Sequence, residues 1–186
     1  SYHDSVRNVD YSDWRLASNT PVNGTSWNYR YRANGTTDIG YSITSKNSEL
    51  SYMYYQNLGL KGYFSPTGAS QPDFGVPGTS WGGQADVAAK DGGPVVKNLQ
   101  SLVYWSGTAS ARNPANDAWY FDTADGAQSD DVQSEAWAAW AVRPGDVAAL
   151  SAPTSPAPEP ETYAMLLTGL GLLAGVAKRR QSLGTS

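Results

Sequence analysis

Ala118-Trp119-Tyr120-Phe121-Asp122-Thr123-Ala124-Asp125-Gly126-Ala127-Gln128-Ser129-Asp130 decides how the middle of this chain is read. Residues 118–122 and 126–130 are short runs of the strand-forming kind, and Asp122 to Gly126 between them supplies Asp and Gly, which accept the positive φ angles of a tight reversal. Similar short runs stand at 102–106 and 137–143. Four such runs separated by turn residues predict an antiparallel meander.

Working outward towards the N-terminus, Trp27, Tyr29 and Tyr31 alternate with Asn28, Arg30 and Arg32. That period of two predicts a half-buried strand with its aromatic face inward. Leu50, Met53, Tyr54 and Leu58 recur at helical spacing, with Asn47 or Ser48 placed to cap the start and Gly59 to end it. From Lys61 to about Asn98 the chain is crowded with Gly and Pro, and this predicts a long irregular loop or insertion. No repeat of fixed period is present.

Composition narrows the chemistry. There is no cysteine, which excludes disulfide staples and thiolate catalysis. Seven Trp and twelve Tyr must then supply much of the buried area. The single histidine, His3, lies at the start of the chain, so neither a Ser-His-Asp relay nor a His-rich metal site is expected. The formal charge is −4; without Lys178, Arg179 and Arg180 it is 10 cationic against 17 acidic residues, or −7. An acidic domain of this kind is a poor partner for nucleic acid.

The last thirty residues have a different character. Pro153, Pro156, Pro158 and Pro160 punctuate a semi-rigid linker over 151–161, the run 162–177 carries no charge, and Lys178-Arg179-Arg180 follows within a basic tail, 178–186. Sixteen helical residues span roughly 24 Å, a marginal fit to a hydrocarbon core of about 30 Å. The basic flank favours the cytoplasmic side, placing the preceding domain across the membrane. A permanent anchor and a processed signal share this hydropathy. The triplet Pro158-Glu159-Pro160 ahead of a hydrophobic helix and a basic stop resembles the PEP-CTERM sorting signal of exported bacterial proteins. That resemblance implies an exosortase as partner, recognition through Pro158, Glu159 and Pro160, passage through the inner membrane, and a final place at the cell surface or outside the cell. An exported protein needs a leader, and the opening residues show none, so an N-terminally truncated first domain is expected.

Four fragments, Tyr11 to Leu16, Tyr104 to Thr108, Ala118 to Asp122 and Trp140 to Gly145, together resemble the DUF1566 or Lcl C-terminal domain. Ala17 stands where that family usually has Pro. The resemblance implies that residues 1–150 form an α+β domain related to C-type lectins and to the formylglycine-generating enzyme domain. It does not imply catalysis.

Trp14, Trp105, Trp119 and Trp140 are expected in the core, as large aromatics mostly serve packing. Trp27 and Trp81 are the candidates for stacking on a sugar ring, although an indole in the Gly-rich stretch around Trp81 serves equally to anchor a loop. Arg30 and Arg32 present forked donors suited to uronate or sulfate, or simply a solvated face. Asp13, Arg15 and Arg143 are expected to form structural ion pairs. Asp122, Asp125, Asp130 and Asp131 are oxygen donors of the type calcium takes, but they lack the spacing of a known loop and read as turn residues. No cofactor or metal is expected. These readings predict a non-enzymatic envelope or extracellular-matrix protein with a structural or adhesive role. The alternatives are a module that binds exopolysaccharide and a carboxylate-based glycan-active enzyme.

Overall fold

In the computed structural model, residues 2–5 and 8–143 are described. They fall in the first of two units, Ser1–Gly145; the second, Asp146–Ser186, lies outside the described residues. In chain order the elements are β1 (Tyr2–Asp4), β2 (Val9–Tyr11), β3 (Arg15–Leu16), β4 (Tyr31–Arg32), β5 (Ile39–Gly40), helix α1 (Glu49–Tyr52) with one wider π-type turn at Met53–Asn57, β6 (Gln84–Ala88), β7 (Val95–Gln100), β8 (Val103–Ala109), β9 (Asp117–Asp122), β10 (Gln128–Val132), β11 (Ala138–Ala139) and β12 (Ala141–Val142).

The expected α+β, C-type-lectin-like fold is overturned: the described residues are mostly β, with one short helix. Helical spacing is sustained only from Leu50 to Leu58, because Gly59 turns the chain at φ +66°. A helix this short is held by packing rather than by its own hydrogen bonds. Leu50 and Tyr54 are buried against Tyr104, Phe121 and Ala17. Ser48 occupies the predicted N-cap position without capping; its hydroxyl donates to the Gln128 side chain, tying the helix start to β10.

The main sheet runs β11-β8-β9-β10-β5-β4. The predicted meander is present in β8, β9 and β10, which pair antiparallel with Tyr104 opposite Phe121 and Phe121 opposite Gln128. The fourth run does not extend it. β11 pairs parallel with β8 on that strand's other side, and β12 leaves the sheet to pair antiparallel with β3. At the far edge β4 lies parallel to β5, and the close approach there requires Gly40: a Cβ would sit 1.8 Å from the Arg32 carbonyl oxygen.

Alternation sorts the strand residues onto two faces. Tyr104, Trp119, Phe121 and Gln128 point inward and are buried, whereas Trp105 and Tyr120 point outward and meet the loop residue Trp137 at 4.4 and 4.7 Å between ring centroids. A second cluster of Leu58, Val76, Val87 and Leu99 seats the β6–β7 hairpin. That hairpin corrects the expected irregular stretch 61–98, whose second half is regular. Val87 and Leu99 supply its buried face, and the turn Asp91-Gly92-Gly93-Pro94 reverses it. Full burial of each such side chain contributes roughly 1.5–3 kcal/mol.

Candidate functional site

The segment from Val22 to Arg32 is organised by one buried carboxylate. Asp38, 1 % exposed, accepts the backbone N–H of Val22 at 2.7 Å and of Asn28 at 2.5 Å. Its carbonyl accepts the Gln128 side-chain amide at 2.9 Å. Thus pinned, the arm lays Trp27 on Trp119 (4.6 Å, 22° between planes) and Tyr29 on the same indole (5.5 Å, 14°). Arg112 closes the stack, its guanidinium 3.9 Å from the Tyr29 ring and 3.6 Å from the Asp130 carboxylate.

This arrangement places the sequence-derived candidates individually. Trp27 is half-buried as a lid on Trp119, so its best ring face is already used. Arg30 and Arg32 are exposed, and neither has an ion-pair partner among the described residues. The predicted strand is regular only at β4, and Tyr31, expected inward, is 53 % exposed. Trp81 is 62 % exposed in a turn tied down by hydrogen bonds from Gly82 N–H to Ser101 and from Gly83 N–H to Ser80. Among the described residues the ring contacts of Trp27 are to Tyr29 and Trp119, not to Trp81. Of the tryptophans expected in the core, Trp119 is fully buried, Trp105 and Trp140 are half-buried, and Trp14 is 42 % exposed.

A group of aromatics that the sequence reading passed over does come together. Tyr31, Tyr41, Phe64, Tyr63 and Phe74 form a continuous row of edge-to-face contacts, with centroid spacings of 6.1, 5.3, 4.7 and 4.9 Å. Tyr41 is buried at the base, while Tyr31, Tyr63 and Phe74 reach solvent. The loop bearing three of these rings is pinned to the β9–β10 turn. Tyr63 N–H donates to the Asp125 carbonyl at 2.7 Å, Gly75 N–H to Lys61 at 3.0 Å, and Gln71 N–H to Tyr63 at 2.8 Å. The only sequence signal was the adjacent pair Tyr63-Phe64 in a stretch otherwise poor in large apolar residues.

Carboxylates stand behind the row. Asp125 accepts the Tyr41 hydroxyl at 2.9 Å and the Ala127 N–H at 2.8 Å. Burial pushes the Tyr41 phenol well above its ordinary range, and the neighbouring Asp125 charge adds to this. Burial likewise raises Asp122 to about 6, with Asp125 contributing, although the N–H of Ala124 donates to it. Asp122 and Asp125 accept N–H groups of their own turn, from Ala124 and Ala127, whereas Asp130 and Asp131, also read as turn residues, lie in β10. Among the described residues no group of three or more His, Asp or Glu side chains is placed to hold a metal ion. The expected ion pairs form with a change of partner: Arg143 meets Asp13 at 3.1 Å, but Arg15 takes Glu49 in a two-pronged bridge of 2.6 and 2.7 Å.

Pro158, Glu159, Pro160, Lys178, Arg179, Arg180 and the apolar run 162–177 lie outside the described residues. Among the described residues no helix is long and apolar enough to cross a membrane. The tail is decided by comparison. Residues 156–181 match the PEP-CTERM protein-sorting motif. The chain thus carries the signal of an exported protein that is sorted in association with the membrane and processed by an exosortase. Nothing in the family comparison supports the DUF1566 or Lcl resemblance. No curated protein and no solved structure matches the chain.

Proposed function

We propose that this is a non-enzymatic protein of the bacterial envelope or extracellular matrix, delivered by an exosortase, whose β domain has a structural or adhesive role. The observation that carries the reading is the sorting motif over 156–181, joined to a domain that leaves the large rings Trp14, Tyr31, Tyr63, Phe74 and Trp81 exposed. The test is surface retention and cell–cell aggregation in a host carrying the exosortase. Replacing Pro158-Glu159-Pro160 by alanines should abolish both surface display and aggregation, and unchanged aggregation refutes the adhesive role.

A second reading, a module that binds carbohydrate, is favoured by the exposed rings Tyr31, Tyr63 and Phe74. Contiguous exposed apolar patches of this size are often functional. A carboxylate-based enzyme finds less support, because Asp122 and Asp125 are both engaged with the backbone of their own turn.

A further inference from the structure

We infer that the row Tyr31, Tyr41, Phe64, Tyr63 and Phe74 is a binding platform for the sugar rings of a neutral polysaccharide. The inference rests on the carbohydrate-binding reading and gives it a place and a ligand class that differ from the sequence-derived candidates. Folding leaves Tyr31, Tyr63 and Phe74 exposed at 53, 38 and 40 % although each already leans on a neighbouring ring. Edge-to-face contacts with planes 75–85° apart hold the row rigid. The hydrogen bonds from Tyr63, Gln71 and Gly75 fix the loop backbone beneath it. A platform ordered before binding has little conformational entropy left to lose, which is what a weakly interacting ligand requires.

Size selects the class of occupant. Aromatic side chains offer 150–250 Å² each, so three rings at these exposures present on the order of 300 Å², well short of the roughly 800 Å² per partner of a stable protein interface. That area suits a few sugar rings, whose C–H faces stack on aromatics while their hydroxyls seek polar partners. The loop provides such partners: residues 62–72 contain no Asp, Glu, Lys or Arg, and Thr67 and Ser70 are exposed, the charges nearest in sequence being Lys61 and Asp73 at its ends, while Asp125 behind the row is taken up by the Tyr41 hydroxyl and the Ala127 N–H. Arg32 follows Tyr31 in β4, and strand alternation places it on the opposite face from the row.

The experiment is affinity electrophoresis of the full chain in mild detergent, through gels containing hydroxyethylcellulose, dextran or soluble starch, with alginate as the anionic comparison. The expected result is retardation by at least one neutral polymer, weakened about tenfold or more in Tyr63→Ala/Phe74→Ala and, independently, in Tyr31→Ala, each with an unchanged circular dichroism spectrum. No retardation by any neutral polymer overturns both the site and the neutral-glycan reading. Retardation that survives the row variants but is lost in Trp81→Ala overturns the site and leaves carbohydrate binding standing. Retardation by alginate alone overturns the ligand class. Concentration-dependent dimers that the row variants abolish would give the surface to a second copy and overturn the proposal.

Discussion

Asp38→Ala is the most informative single change in the β domain, because one buried side chain holds the aromatic arm in place. Its carboxylate accepts two backbone N–H groups, from Val22 at 2.7 Å and Asn28 at 2.5 Å, at a position 1 % exposed. A hydrogen bond to a charged group contributes about 1.5–3 kcal/mol, and its loss leaves a donor without a partner away from water. Two such bonds give an expected loss of about 3–6 kcal/mol, a large part of a typical domain's stability of about 5–15 kcal/mol. Asp38→Asn keeps one good acceptor and turns an amide N–H₂ towards the other donor, so it should fall in between, at about 1–2 kcal/mol. Urea unfolding followed by tryptophan fluorescence reads both effects, since Trp27 stacks on Trp119 at the end of this arm. The alanine variant should also show a red-shifted native emission as Trp119 gains access to water. A loss below about 1 kcal/mol with unchanged emission would refute the claim that Asp38 organises the arm.

Three further outcomes follow from the same geometry. Asp122 is raised to about 6 from 3.8, so the native state holds its proton more tightly than the unfolded chain; this favourable contribution is present below about pH 4 and is lost as pH rises towards 6. Asp122→Asn, which keeps an acceptor for the Ala124 N–H, should therefore match the wild type at pH 4 and exceed it in thermal stability at pH 7; equal melting temperatures at pH 7 would contradict it. Gly126→Ala should destabilise the domain by about 2 kcal/mol or more on chemical denaturation, because φ is +84° and the new Cβ would sit 2.6 Å from the Tyr55 hydroxyl and 2.8 Å from the Gly62 Cα. A double-mutant cycle on Asp13 and Arg143 should give a coupling of about 0.5–1 kcal/mol, modest because the pair is partly exposed; zero coupling would make the contact energetically idle.

What could be read from the sequence was local. The turn from Asp122 to Gly126 and the strand before it were legible because Asp, Gly and the run Trp119-Tyr120-Phe121 act over a few residues. The Asp13–Arg143 pair was anticipated, but Arg15 found Glu49, since ion-pair partners are chosen by tertiary position. The α+β expectation failed because the Leu50–Leu58 pattern is real but brief, and because the hairpin of β6 and β7 was hidden in Gly- and Pro-rich text. Trp27 and Trp81 drew attention as tryptophans; the row from Tyr31 to Phe74 did not, because residues 31, 41, 63 and 74 meet only after β5 docks on β10 and the 61–75 loop folds onto the Asp125 turn. Gln128 gave no sign of its role, yet its buried amide joins Ser48 and Asp38 across the sheet.

The most direct test of the account is the intact mass of the full chain recovered from a host with and without an exosortase. The account predicts a product shortened at its C-terminal region only when the enzyme is present, and a full-length, membrane-associated product when it is absent. A full-length product in both hosts would contradict sorting through the motif at 156–181.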